Sequence, residues 1–293
     1  MNILLIGGTG FIGSAIARHL VDAGHRVRLA TRHRERAKHL LTLPTAEVVE
    51  GNVHDPATLA SLMQGQQAII SMVGILRGDF KRAHAELPAK IAAAAKVAGI
   101  RRIVHISALG ASPSAPSEYL RSKAAGEDAL KQSGLDITIL QPSVVFGRGD
   151  AFLNLFAAIQ KLTPVLPLAC ANARFQPIWV EDVAATVASC ITQSASIGHT
   201  YPLGGPRQYS LRELVRFSGQ ATGRSACIIP LPKSLSYLQA LMMELIPNGP
   251  MTRDNFYSMQ VPNVCIEVPS LPFGRHASSL EAIASGYLAA KQG

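Results

Sequence analysis

In the stretch Ser117–Glu127, "SEYLRSKAAGE", Tyr119 precedes Lys123 by four residues. On a helix that spacing puts both side chains on one face. An ammonium beside a phenol favours the phenolate and lowers a pKa that is about 10 unperturbed. Such a phenol can exchange a proton with the oxygen of a carbonyl undergoing hydride transfer. With six tyrosines and nine lysines, a Tyr-x-x-x-Lys pair would arise by chance in about one such chain in five. Its position therefore says more than its spacing: it lies just past the fifth expected strand, on a helix ending near Gly134.

The second pattern is "IGGTGFIG", whose glycines fit Gly8-x-Gly10-x-x-Gly13 and also Gly7-x-x-Gly10-x-x-Gly13. A side chain at the middle glycine would block backbone approach to a pyrophosphate. The third glycine lets helix and strand pack closely, and the free N–H groups at the helix start attract an anion. Strand, turn and helix follow in the required order, which predicts a dinucleotide site. Which dinucleotide depends on the end of the second strand. "LATRHRERAK" has no acid there to accept from a ribose 2′-hydroxyl, and Arg32 and Arg34 come directly after it. A guanidinium can bind a 2′-phosphate through two hydrogen bonds. Arg32 is the expected phosphate contact and NADP(H) the expected cofactor, ahead of NAD(H).

These residues must be positioned by a scaffold, and the first half supplies one. Ile3–Ile6, Arg26–Thr31, Ala46–Glu50, Ala68–Met72, Ile103–Ser107 and Ile137–Leu140 read as strands. Between them lie amphipathic segments such as Phe11–Ala23, with Ile12, Ile16 and Leu20 on one face. Gly24, Gly99 and Gly134 sit where helix C-caps belong, and Asp55-Pro56 reads as an N-cap followed by proline at N1. Repeated strand–helix–strand order predicts an α/β fold, a doubly wound parallel sheet of the Rossmann type covered on both faces.

After Gly149 the rhythm changes. Leu162–Ala173 has no clear period, Phe175–Val180 reads as a strand, and Glu181-Asp182 opens a helix over Val183–Gln193. Ser210-x-x-Glu213 and Ser278-x-x-Glu281 are capping-box patterns. The expected division is an NADP(H)-binding part over 1–150 and a smaller, mostly helical part over 151–293 that binds substrate or partner. Segments near 176 and 200 are expected to rejoin the main sheet.

Composition narrows the function classes. In 293 residues, 48% are apolar and 16% charged, so the chain should form a globule. The apolar runs are too short for a transmembrane helix, and "MNILLIGGTG" lacks the basic start of a signal peptide. Cys170, Cys190, Cys227 and Cys265 are far apart and show no metal spacing, and the nine histidines show none either. These features predict reduced thiols and a cytoplasmic protein. A net charge of +9 admits nucleic acid, but no basic run is interleaved with aromatics, so attraction to anionic lipid headgroups is the better expectation. Peripheral association with the inner face of a membrane would follow. The stripe Leu235, Leu238, Leu241/Met242, Leu245/Ile246 has helical period. It is expected to pack in the core or a lid, with an apolar surface toward a quinone or a membrane as the alternative.

"GGTGFIG", "YLRSK", "QPSVVFGRGD" and "PIWVEDVA" resemble the extended, atypical branch of the short-chain dehydrogenase/reductase superfamily. "HISALGA" and the long segment "PLPKSLSYLQALMMELIPNGPMTRDNF" are similar to the family of the nucleotide-binding accessory subunit of mitochondrial respiratory complex I and its bacterial relatives. The resemblance implies that Tyr119 is the acid/base and that Lys123 binds the nicotinamide ribose while polarising Tyr119. Gly7, Gly10 and Gly13, with the intervening Thr9, Phe11 and Ile12, would hold the pyrophosphate. Asn52 and Val53 would lie at the adenine, where Asn52 replaces the usual Asp but can still accept from the amino group. Ser143 and Val144 would lie near the nicotinamide. Enzymes of the family place a Ser or Thr beyond the fifth strand to bond the reacting oxygen; here Ser107 ends the strand and Leu109 takes the expected position.

Two main functions follow, and a lesser one. One is an oxidoreductase passing hydride to a carbonyl or quinone-like substrate, with Tyr119, Lys123 and Ser107 in the catalytic site. The other is a non-catalytic NADP(H)-binding subunit, structural or redox-sensing, in a respiratory or quinone-related assembly with an unknown protein partner. Nucleotide-sugar epimerisation is a third, weakened by Leu109.

Overall fold

The computed structural model describes residues 1–247, 249–266 and 271–289; Asn248, inside the long C-terminal segment of resemblance, lies outside them. Its centre is a seven-stranded sheet formed by β1 (Asn2–Ile6), β2 (Arg26–Thr31), β3 (Ala46–Glu50), β4 (Ala68–Ser71), β5 (Arg102–Ile106), β6 (Asp136–Pro142) and β7 (Thr200–Leu203). Every neighbouring pair is parallel, in the order β7-β6-β5-β4-β1-β2-β3. The order reverses between β4 and β1, which leaves a crevice beyond the carboxyl ends of those strands.

The near-continuous apolar strands are explained by burial on both faces. Along β1, Ile3 and Leu5 join one core cluster while Leu4 and Ile6 join another. The first cluster is closed by α1 (Phe11–Asp22) and α6 (Val180–Thr192), through Ile16, Leu20, Val183 and Val187. The second is closed by α2 (Pro56–Met63), α3 (Leu87–Val97) and α4 (Glu118–Lys131), through Leu62, Ile91 and Leu130. Gly24, Gly99 and Gly134 all have φ near +75°, as their capping role requires: +79°, +71° and +71°. Asp55 Oδ2 accepts from Thr58 N–H at 2.8 Å, the expected N-cap.

A third cluster forms around α5 (Phe152–Leu162), α7 (Leu211–Ala221) and α10 (Leu280–Ala289). The segment near 200 rejoins the sheet as β7. The one near 176 does not: Arg174–Phe175 pairs with Tyr209–Ser210, and Ile178–Trp179 with Val145–Phe146. Pro177 falls between these two short strands and supplies no N–H to continue a ladder. Leu162–Ala173 contains a strand, Val165–Leu168, paired with Cys227–Pro230. Ser210 and Glu213 form the expected capping box. At α10 the cap is one residue late: Ser279 bonds Ala282 N–H, because Ser278 N–H is taken by Asp182 and Glu281 accepts from Tyr209. The short helices α8 (Lys233–Glu244) and α9 (Arg253–Ser258) complete the C-terminal part.

Candidate active site

A cavity of about 670 Å³ opens in the crevice above β1, β2 and β4. It gathers the expected cofactor residues Gly7, Thr9, Gly10, Phe11, Ile12 and Gly13 with Arg32, Asn52 and Val53. The glycines have different reasons to be there. Gly7 has φ +88°, and a Cβ on it would lie 3.0 Å from Val73 N. A Cβ on Gly13 would lie 2.5 Å from Gly8, so this glycine seats α1 on the turn. Gly10 is different, since its Cβ would meet nothing within 4 Å. Packing does not require a glycine there; free access to the backbone does. Gly10 is also the N-cap of α1 and offers no side-chain cap, so the first helical N–H groups remain available to an anion. The turn fits a pyrophosphate.

Arg32 is exposed at the end of β2 and lines the cavity, while Arg34 is not among the lining residues. Asn52 Oδ1 already accepts from His54 N–H at 3.1 Å, which leaves it one lone pair for an adenine amino group. Two further cations, Arg77 and Arg82, line the same space. They were not visible as site residues in the sequence because the loop after β4 has no motif of its own. Asp79 is the sole carboxylate among the described lining residues.

Tyr119 and Lys123 do lie on one helix, α4, and they reach different places. Lys123 is buried, and its Nζ donates to Val73 O at 3.4 Å and Ile106 O at 3.3 Å, both residues of the nucleotide cavity wall. Burial pushes its pKa down to about 8, with Glu127 opposing. Tyr119 is half-buried and lines a second cavity of about 340 Å³. The expected lowering of its pKa is not found. Burial first and the charge of Asp254 second push it up to about 12.

His84 fixes this arrangement. Its Nε2 accepts from Ile75 N–H at 3.0 Å, so the proton sits on Nδ1, which donates to Ser122 Oγ at 3.0 Å. Ser122 Oγ in turn donates to Tyr119 O at 2.7 Å. The His84 ring meets the Tyr119 ring edge-on at 5.4 Å, and Phe80 meets it at 6.0 Å. Burial, then Lys123, drives the His84 pKa to about 3, so the ring is neutral. It belongs to a π-helical turn, Lys81–Glu86, against which α4 lies so closely that a Cβ on Gly126 would come 2.0 Å from His84 O.

The second cavity is mostly apolar. Leu109, Leu120, Phe156, Leu168, Met243 and Met259 are among the side chains around Tyr119. Ser143 and Val144 line this cavity and not the glycine-rich one. The Ser143 hydroxyl is engaged, donating to Asn263 Oδ1 at 2.6 Å and accepting from Gln176 N–H at 3.1 Å. Asn263 also donates to Leu109 O at 3.1 Å, tying the C-terminal part to the end of β5. Ser107 is buried, and among the described residues its Oγ has no hydrogen-bond partner. Leu109, not a hydroxyl, faces the cavity beside Tyr119.

A nucleotide cavity and an apolar cavity thus meet at one helix carrying a phenol and an ammonium. The family model described as NAD(P)H-binding matches residues 7–194. NADH dehydrogenase (ubiquinone) 1 alpha subcomplex subunit 9 of Rattus norvegicus is 30% identical over 258 residues, which cover 85% of this chain and 68% of that protein. Ceramide reductase of Caulobacter vibrioides is 32% identical over 238 residues, 78% of this chain and 73% of that one. An NADPH-dependent quinone oxidoreductase from Escherichia coli, solved with NADPH, shares the fold with a TM-score of 0.80 at 21% identity, over 98% of this chain and 99% of that chain. With its glycine turn, its reversed strand order and these relatives, the chain belongs to the NAD(P)H-binding, short-chain dehydrogenase/reductase-like family that includes the mitochondrial complex I subunit and related bacterial reductases.

Proposed function

We propose that the protein is an NADP(H)-dependent reductase of an apolar carbonyl or quinone-like substrate. The observation that carries this reading is the division of labour on α4: Lys123 holds wall residues of the nucleotide cavity, and Tyr119 faces the apolar one. Reduced nicotinamide would supply the hydride. The α1 N-terminus would hold the pyrophosphate and Arg32 the 2′-phosphate. Tyr119 would donate the proton to the substrate oxygen. A phenol held up at about 12 keeps its proton, which suits reduction and disfavours the reverse reaction. The apolar walls would exclude water and accept a long hydrocarbon substituent. A ceramide reductase among the relatives supports a lipid-like substrate. The same lining offers little to a nucleotide sugar.

NADPH oxidation with long-chain ketones and quinones tests this reading. Tyr119→Phe should lower kcat by about 10²-fold or more while NADPH still binds; unchanged turnover removes Tyr119 from the chemistry. Arg32→Ala should weaken NADPH relative to NADH by about 10- to 100-fold, the worth of a charged hydrogen bond.

One observation favours a second reading, a non-catalytic NADP(H)-binding subunit of a respiratory or quinone-related assembly. Leu109 occupies the place where a hydroxyl donor is expected, and the nearby Ser107 hydroxyl is buried. The complex I relative supports it. Exchange of bound against labelled NADPH separates the two readings: an enzyme must release its cofactor at about the rate of turnover, on the order of 10 per second, whereas retention for hours makes the nucleotide structural.

A further inference from the structure

Helix α8 turns its polar side inward. Ser236 and Ala240 are buried, and Ser236 Oγ accepts from Cys170 N–H at 3.2 Å. Gln239 accepts from Ala169 N–H at 3.1 Å and donates to Pro167 O at 3.1 Å. Five large apolar side chains point the other way: Leu235 and Leu238 are each 47% exposed, Met242 61%, and just past the helix Leu245 is 80% and Ile246 56% exposed. Steps of three and four residues put them on one face. The core or lid packing expected for this stripe is therefore not what the fold provides. A contiguous apolar stripe in water marks a docking surface.

We propose that this stripe docks on an anionic lipid bilayer and brings the mouth of the apolar cavity to the membrane. Charge favours this occupant. Lys233, at the start of α8, and Arg77, whose guanidinium donates to Ile246 O and Gly249 O at 3.3 Å, have no carboxylate partner among the described residues. Glu244, the one acid of α8, is paired with Arg253 at 2.8 Å. Glu244 thus faces two cations, Arg253 and Arg77, and Lys233 stands without an acid, so the stripe carries an excess of positive charge on a chain of net charge +9, which suits anionic headgroups and repels a second copy. The cavity favours it too. Leu76 lines the cavity and is 65% exposed, so it marks the rim, and Met243 of α8 lines the wall next to Met242 of the stripe. An apolar molecule would pass from bilayer to Tyr119 along apolar surface. No described helix is long and apolar enough to cross a membrane, so the attachment is interfacial. The use made of this surface rests on the reductase reading; the docking itself does not.

Co-sedimentation of the full chain with phosphatidylglycerol-containing and pure phosphatidylcholine vesicles tests the proposal. Binding should favour the anionic vesicles and weaken at about 0.5 M salt. Leu238→Glu combined with Leu245→Glu should reduce it at least tenfold, with circular dichroism and NADPH binding unchanged because both side chains face solvent. Lys233→Gln should reduce it about fivefold, the worth of one basic group near an anionic surface, and serves independently if the double variant folds poorly. No binding, equal binding by the variants, or a dimer that Leu238→Glu dissolves would overturn the proposal. No docking by the parent chain, with NADPH-dependent turnover on a dispersed substrate, would sink the docking alone. Docking without turnover would leave it standing and sink the reductase.

Discussion

The carboxylate of Asp254 accepts from the backbone N–H of Tyr119 at 3.2 Å and of Glu118 at 2.7 Å, so it caps α4 from α9 while its charge helps to keep the Tyr119 phenol protonated. One side chain from the C-terminal part therefore helps to position α4 and adds to the burial that keeps its phenol protonated. Asp254→Asn keeps a cap oxygen but removes the charge. The Tyr119 pKa should fall from about 12 toward the ordinary phenol value, read by ultraviolet difference titration against Tyr119→Phe. Asp254→Ala should in addition cost about 1–2 kcal/mol of stability, as loss of an N-cap does. An unmoved phenol titration in Asp254→Asn would show that burial alone sets it.

The second and third glycines of the turn should separate binding from folding. Gly10→Val puts side-chain atoms into space that is open in the fold, so it should abolish NADPH binding with little change in thermal stability. Gly13→Ala drives a Cβ to 2.5 Å from Gly8, so it should lower stability by roughly 1–3 kcal/mol, an overpacking cost, before any question of binding arises. Calorimetry and nucleotide titration on both variants check the contrast.

This contrast also shows what was legible in the sequence. The strands were, because fully apolar runs such as Ile3–Ile6 have few other uses, and the glycine turn was, because its logic is local. Asp254 was not, being 135 residues from Tyr119. His84 was not, since a lone histidine announces neither a π-helical turn nor its neighbours Ile75 and Ser122. Nor did sequence order reveal Asn263, 120 residues on, as the partner of the Ser143 hydroxyl. The pKa of Tyr119 runs against the expectation from its spacing to Lys123 for a related reason: burial and a distant carboxylate, neither visible in local sequence, raise it.

Stability should fall in acid. His84 and His105 are both buried and held to about 3, whereas in the unfolded chain each takes a proton near 6.5. Burial is the first cause in both, followed by the Lys123 charge. Between these values the unfolded state binds more protons, so stability is full above about pH 6.5 and is lost as pH falls toward 3. The loss should be on the order of several kcal/mol. Lys123 acts in the same sense at higher pH, adding stability as pH rises from about 8 to 10.5. Urea midpoints across pH measure both windows. His105→Asn should flatten the acid one, and Lys123→Met the alkaline one.

Leu109 offers a direct test of whether the proposed chemistry takes place at this site. Its side chain faces the apolar cavity beside Tyr119, where a hydroxyl would give a substrate oxygen a second donor. If turnover is limited by that missing donor, Leu109→Ser should raise kcat with a carbonyl substrate by about 10-fold, the value of one neutral hydrogen bond made in the transition state. The same change removes a large buried apolar side chain, at a cost of roughly 2–5 kcal/mol, so the comparison needs Leu109→Ala as a control for packing. A gain in Leu109→Ser that Leu109→Ala lacks makes the parent a slow enzyme short of one donor. Equal loss of stability in both with no turnover in either means that Leu109 serves the apolar wall, and then the nucleotide turn, not Tyr119, is what the fold maintains.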